Sequence, residues 1–174
     1  MTRPFSIETS RLQLRWLNSD DAAFIYRLVN DPQWLLHIGD KQVHDLDGAH
    51  HYIESGPRAM YLQFGFGLNL VSLKENATAI GICGLLQRDS LPVPDLGFAF
   101  LPEYRRQGYA REAAEAVLNH GFSTLEQTRI VALVNSANRA SIGLLERLGF
   151  HLDRETKMEP NGTPADLYSI QTKS

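Results

Sequence analysis

A single cysteine, Cys83, leaves the chain with no internal disulfide and no thiolate metal cluster. It lies inside the apolar run Ala79 to Leu86, where a free thiol is expected to be a buried core group. No apolar stretch approaches the roughly 18 to 20 residues that span a bilayer, and Met1 to Ser6 lack a signal peptide's apolar segment. The expectation is a soluble, cytoplasmic protein without membrane contact. Charge of one sign is also scarce: a net charge of -3 and a pI near 6.1 give no global attraction to nucleic acid. The six histidines, His37, His44, His50, His51, His120 and His151, are scattered and form neither an H-x-x-x-H nor an HExxH pair, so no metal site is expected. Repeats, low-complexity tracts and Pro/Gly/Ser linkers are missing too.

What is present reads as one domain spanning 1–174, since roughly 100 to 200 residues make one. Leu12, Leu14 and Trp16 alternate with polar residues, the period of a half-buried strand. Asn18 to Asp21 then offer a cap and an acidic first turn to a helix carrying Ala22, Ile25, Leu28 and Val29, which should end near Asp31-Pro32. A second helix is expected after Asp45, carrying Ala49, Tyr52 and Ile53 and stopped by Gly56-Pro57. Trp34 and Tyr52 are expected in the core; His37, His50 and His51 are expected in solvated or capping positions. Phe66 to Leu73 and Ala79 to Leu86 form a hairpin, and Leu96, Phe98 and Phe100 alternate in a further strand. From Ala110 to Leu125 the apolar residues step at helical spacing. Ile130 to Val134 has the continuous character of a strand covered on both faces, and Ser141, Leu144, Leu145 and Leu148 mark a helix closed by Gly149. A last hairpin turns at Pro160 to Gly162. The order implies a mixed α/β (α+β) sheet in one layered domain.

Chemistry concentrates in Asp95 to Ala110, a strand followed by a tight turn into the long helix. Gly108 stands where the backbone must turn sharply, and a residue without Cβ lets a ligand approach the main chain. The amides of Gln107 to Ala110 then point outward at a helix start that carries about half a positive charge. Arg105 and Arg106 add side-chain charge, making an anion cradle suited to a pyrophosphate. The spacing matches neither the P-loop ending nor the three-glycine dinucleotide pattern, which removes the best support for nucleotide hydrolysis and hydride transfer.

Arg105-Arg-Gln-Gly-Tyr-Ala110 resembles the R/Q-x-x-G-x-G/A signature of the GNAT superfamily of N-acetyltransferases. Asn138 to Phe150 resembles the same superfamily's second motif, the Asn-to-Gly-Phe block, one helix and one strand later. The opening Glu8 to Arg15, with Asp21 and Asp31-Pro32, resembles the RimJ/RimL-like branch that acetylates ribosomal-protein N-termini. The resemblance implies a single-domain acyl-CoA N-acyltransferase fold and acetyl-CoA as cosubstrate. The main chain of Phe98 and Phe100 would bind its pantetheine arm. Arg105, Arg106, Gln107, Gly108, Tyr109 and Ala110 would hold the pyrophosphate, and Asn138 would contact the cofactor, cap the following helix, or both. Asp95 is implied as the base. Where many members place a tyrosine to protonate the departing thiolate this chain has Leu145; Ser141 is the implied substitute, with Tyr109 or a water as alternatives.

The reaction needs a neutral amine. At pH 7 an α-amine with a pKa of about 7.7 to 8.0 is roughly one-tenth neutral, whereas a lysine near 10.4 is neutral in about one molecule in 2,500. A lysine thus demands more help; the resemblance implies a protein N-terminus or a small-molecule amine as acceptor, and a monomer or homodimer. The alternative is a non-catalytic acyl-CoA sensor or scaffold of the same fold.

Overall fold

The computed structural model describes residues 4–173. Eight strands form one mixed sheet in the order β1-β2-β3-β4-β5-β6-β8-β7, as the alternating strand and helix signals imply. They are β1 (Ser6–Glu8), β2 (Leu12–Trp16), β3 (Leu68–Leu73), β4 (Ala79–Leu86), β5 (Asp95–Phe100), β6 (Arg129–Asn135), β7 (His151–Met158) and β8 (Thr163–Gln171). Every neighbouring pair is antiparallel except β5 and β6.

Helices α1 (Ala22–Val29), α2 (Pro32–His37), α3 (Leu46–Ile53) and α4 (Ala59–Phe64) fall between β2 and β3; α5 (Tyr109–Ser123) joins β5 to β6, and α6 (Arg139–Arg147) joins β6 to β7. Asn18 caps the turn before α1 in a capping box with Asp21, whose carboxylate also takes two 2.9 Å bonds from Arg15. Asp31 was expected to end a helix. It does, and its side chain also accepts from Gln33 N and Trp34 N to start α2, with Pro32 at the first helical position.

One expectation is corrected. Gly56-Pro57 does not stop the helix begun at Leu46. Proline lacks an N–H, and the chain absorbs that loss by widening to a π-helical segment over Glu54–Arg58 before continuing as α4. The stop is Gly65, in the left-handed conformation.

The central strands of the sheet are covered on both faces, while the edge strands β1 and β7 are largely exposed. One face carries Leu12, Leu14, Val71, Cys83, Leu96 and Phe100 against α5 and α6, through Val117, Leu118, Ile142 and Leu145. Cys83 is thus the buried core thiol the sequence implies. The other face carries Leu70, Ile82 and Ala99 against Ile25, Trp34, Ala49 and Ile53 of the inserted helices. Among the described residues no helix is long and apolar enough to cross a membrane.

Candidate functional site

The sheet opens at its centre. β5 pairs with β4 from Leu86↔Asp95 to Gly81↔Phe100, yet meets β6 at one register position only, Asp95↔Val131. The carbonyl of Pro94 accepts from Val131 N at 3.0 Å, and main-chain groups alternate along a strand. Those of Leu96, Phe98 and Phe100 therefore point toward β6 as well, into the widening gap. The rings of Phe98 and Phe100 pack into the core, so only their main chain faces the opening. The Phe100 carbonyl already accepts from Arg105 Nε at 2.9 Å.

The β5–α5 loop sits at the mouth of this gap. Arg106 (φ 60°) and Gly108 (φ 84°) both take the left-handed conformation, turning successive N–H groups toward one side as in an anion-binding nest. The first bond of α5 runs from Glu112 N to the Gly108 carbonyl, so Tyr109, Ala110 and Arg111 precede any intrahelical acceptor. Arg106, Gln107 and Gly108 are exposed, while Tyr109 and Ala110 are half-buried. Arg105 has a different place: its Nη2 donates to Asp31 at 2.6 Å, tying the loop to the start of α2. The Gln107 side chain likewise folds back on the Glu103 carbonyl at 2.7 Å. Of the two arginines, Arg106 is the one at the exposed loop surface.

Arg11 and Glu112 complete this loop, though composition and spacing give neither a role. Arg11 donates Nη1 to the Gln107 carbonyl at 3.1 Å and Nε to Glu112 at 2.7 Å, and its guanidinium lies 4.3 Å over the Tyr109 ring. Glu112 also accepts from Thr9 Oγ1 and Arg11 N. Burial pushes its carboxyl up, but the bonds from Thr9 and Arg11 outweigh this and hold it below the usual range. The only sequence signal for Arg11 was its place in the opening block.

Asp95 stands where β5 and β6 part, 1% exposed, and pairs with Arg88. Both contacts run through Arg88 Nε, at 3.2 and 3.1 Å to the two carboxylate oxygens. One shared N–H leaves most of the carboxylate's acceptor capacity unused. Burial pushes the Asp95 carboxyl above its usual range, more than Arg88 draws it down. By strand alternation Asp95 shares a face with its partner Leu86, the face covered by the inserted helices. There Gly97 is covered closely: a Cβ would come within 2.7 Å of Leu86 Cδ1 and 3.3 Å of Leu68 Cδ2, so the two leucines pack directly on the strand backbone.

Asn138 caps α6, accepting from Ser141 N at 3.2 Å through Oδ1, so its amide nitrogen remains outside that bond. Ser141 is half-buried in the first turn of α6, which packs on the opposite face from Asp95. Leu145 lies in the core. Trp34 is buried, as expected, whereas Tyr52 packs on the core and also lines a cavity of about 90 Å³ with Gly56, Pro57, Met60, Leu68 and Leu86. No cluster of metal-binding side chains occurs among the described residues.

A phosphate-bearing thioester with a long arm fits this set: exposed amides at a left-handed turn, a helix start, and a strand edge released from its ladder. The family model of the acetyltransferase (GNAT) domain matches residues 11–151. The uncharacterized N-acetyltransferase YoaA of Bacillus subtilis is 31% identical over 171 residues, covering 94% of this chain and 95% of that one. An acetyltransferase from Agrobacterium tumefaciens superposes with a TM-score of 0.83 at 26% identity, over 99% of this chain and 97% of that one. RimL, a ribosomal L7/L12 α-N-protein acetyltransferase solved with coenzyme A, superposes with a TM-score of 0.77 over 96% and 98% of the two chains; at 16% identity the likeness is one of fold.

Proposed function

The chain belongs to the acetyltransferase (GNAT) family, enzymes that use acetyl-CoA, and from that premise we propose direct acetylation of a primary amine, a protein N-terminus or a small molecule, with Asp95 as the base. The observation that carries this reading is the position of Asp95: a buried carboxylate where β5 leaves β6, on the face covered by the inserted helices. Acetyl-CoA supplies an activated acetyl group as a thioester.

The main chain of Phe98 and Phe100 lines the channel for the pantetheine arm, and the amides from Gln107 to Ala110, with Arg106, receive the pyrophosphate. Arg105 contributes by fixing the loop to Asp31 and Phe100. Asn138 holds the start of α6 and presents its amide to the coenzyme. The nitrogen lone pair forms the C–N bond as the C–S bond breaks; Asp95 takes the proton lost by nitrogen, and Ser141 returns one to the thiolate. The raised proton affinity of Asp95 suits this work, because a general base is most effective when its pKa approaches the working pH.

The test is thiol release from acetyl-CoA against peptide α-amines, lysine peptides, polyamines, aminoglycosides and amino acids, with the acetylated product proved by mass spectrometry. Turnover with an amine supports the reading. Tight acetyl-CoA binding with no turnover on any acceptor would replace it with a sensor or scaffold role.

A further inference from the structure

The cavity beside Asp95 has a composition that selects among amines. Its volume, about 90 Å³, is several times the roughly 10 to 15 Å³ that one water needs, and its lining from Tyr52, Gly56, Pro57, Met60, Leu68 and Leu86 is almost wholly apolar. Such a space is poorly suited to water and accepts an aliphatic group of several heavy atoms. Three consecutive residues tie it to a charged site. Leu86 lines the cavity and lies directly across the ladder from Asp95. The main-chain N–H of Gln87 donates to Met60 Sδ at 3.3 Å, joining the cavity wall to the strand end. Arg88 then reaches Asp95.

This ion pair is unequal. The Asp95 side chain is 1% exposed and that of Arg88 is 45% exposed, so the buried carboxylate fixes a guanidinium that solvent and ligand can reach. Because both contacts to Asp95 use Nε, the terminal nitrogens present the planar fork that matches a carboxylate. Arg88 is also near enough to the Tyr52 hydroxyl and the Lys41 ammonium to influence both. Burial pushes the Tyr52 hydroxyl up to about 12 while Arg88 draws it down; burial and then Arg88 hold Lys41 below its usual range. One exposed cation, Arg88, therefore stands beside the cavity, held by a single buried carboxylate. A polycationic acceptor meets repulsion there, whereas an acceptor with its own carboxylate is matched.

We propose that the acceptor is a free α-amino acid with a compact aliphatic side chain, its side chain in this cavity and its carboxylate on Arg88. The inference rests on the reading of the chain as an amine acetyltransferase with the acceptor on the Asp95 face.

It is tested by kcat/KM, referred to the concentration of neutral amine, for L-leucine, L-leucinamide, isopentylamine and a leucine-initiated tripeptide, with products identified by mass spectrometry. Leucine is expected to exceed each of the others by about 30-fold, the scale of one charge-assisted pair. In Arg88→Gln the leucine-to-isopentylamine preference is expected to fall by a similar factor of about 30, a ratio that cancels any shared effect on Asp95. Met60→Trp, which leaves the ion pair intact, is expected to shift preference from leucine to alanine by filling the cavity. Equal rates for leucine and leucinamide, or an unchanged preference in both variants, would overturn the proposal. Acetylation of peptides or polyamines but not of leucine would overturn it while leaving amine acetylation standing; calorimetric binding of acetyl-CoA with no acceptor of any class would remove the underlying reading instead.

Discussion

In the proposed reaction two residues carry most of the chemistry, and each should fail differently when changed. Asp95 has its proton affinity raised by burial, so wild-type turnover should fall as pH drops through that raised value and the carboxylate is neutralised. Asp95→Asn removes the proposed base, which should leave only amine that is already neutral in solution. With a peptide α-amine of pKa about 7.7 to 8.0 as acceptor, the variant's rate should climb with pH until that range. The expected deficit is about 10² to 10³ in kcat at pH 7, narrowing at pH 9. A parallel pH–rate profile in the two proteins would remove Asp95 as base. Gly108 matters through its backbone: at φ 84° a side chain is strained, and an added Cβ would lie 3.3 Å from Arg11 Nη2. Gly108→Trp should place bulk over the exposed amides and weaken acetyl-CoA binding about 100-fold by calorimetry, with far-UV circular dichroism unchanged, the loss of one or two hydrogen bonds to a charged group. Unaltered affinity would show that the pyrophosphate lies elsewhere. Both residues could be picked out from sequence, Gly108 from its place before a helix and in the signature block, and Asp95 only through what the family resemblance implies for its strand position. Arg88 could not, because its meaning depends on a cross-strand neighbour at Asp95 that no local pattern reports.

At the scale of elements, the start of α5 is held by the turn between β1 and β2 through Arg11 and Glu112. Arg11→Ala cuts the bonds to Glu112 and the Gln107 carbonyl together, and should raise the Kd for acetyl-CoA about tenfold with kcat little changed. A lysine can make one of these bonds and not the fork, so Arg11→Lys should recover only part of the loss. Because the Glu112 carboxyl is held below its usual value, its support is complete above the unfolded value of about 4.3 and disappears as pH falls through the lower folded one. An Arg11→Ala protein with wild-type affinity would reduce the clamp to a surface contact. β2, β5 and the long helix were legible because each shows its period for two or more repeats, and β3, β4 and β6 because each is a bounded apolar run. The insertion was less so: α2 is six residues under an Asp31-Pro32 cap that also reads as a stop, and the Gly56-Pro57 pair breaks an ordinary helix but is tolerated when the turn widens. β1, three residues long, is too short for any alternation to show.

For the molecule as a whole, the sheet consists of an antiparallel block from β1 to β5 and a second block of β6, β8 and β7, joined through a ladder with one register position. Periodicity and composition offer no signal of that parting, which only the family resemblance implies: Ile130 to Val134 reads as an ordinary buried strand, and where its pairing stops is decided by the two blocks it joins. A ligand lying between Phe98 and β6 would supply main-chain bonds that the ladder lacks, so binding should stiffen the seam and not merely the loop. At a coenzyme A concentration 100 times its Kd the stabilisation is about 2.7 kcal/mol, which for a chain of this size raises Tm by roughly 5 to 11 °C. The location of the effect is the sharper test. Coenzyme A should slow hydrogen exchange at the Phe98 and Phe100 amides, while adenosine 3′,5′-bisphosphate, which lacks the pantetheine arm, should leave those two amides as they are in the free protein. Equal protection by both ligands would mean that the strand edge does not carry the arm, and the parting of β5 from β6 would then need another explanation.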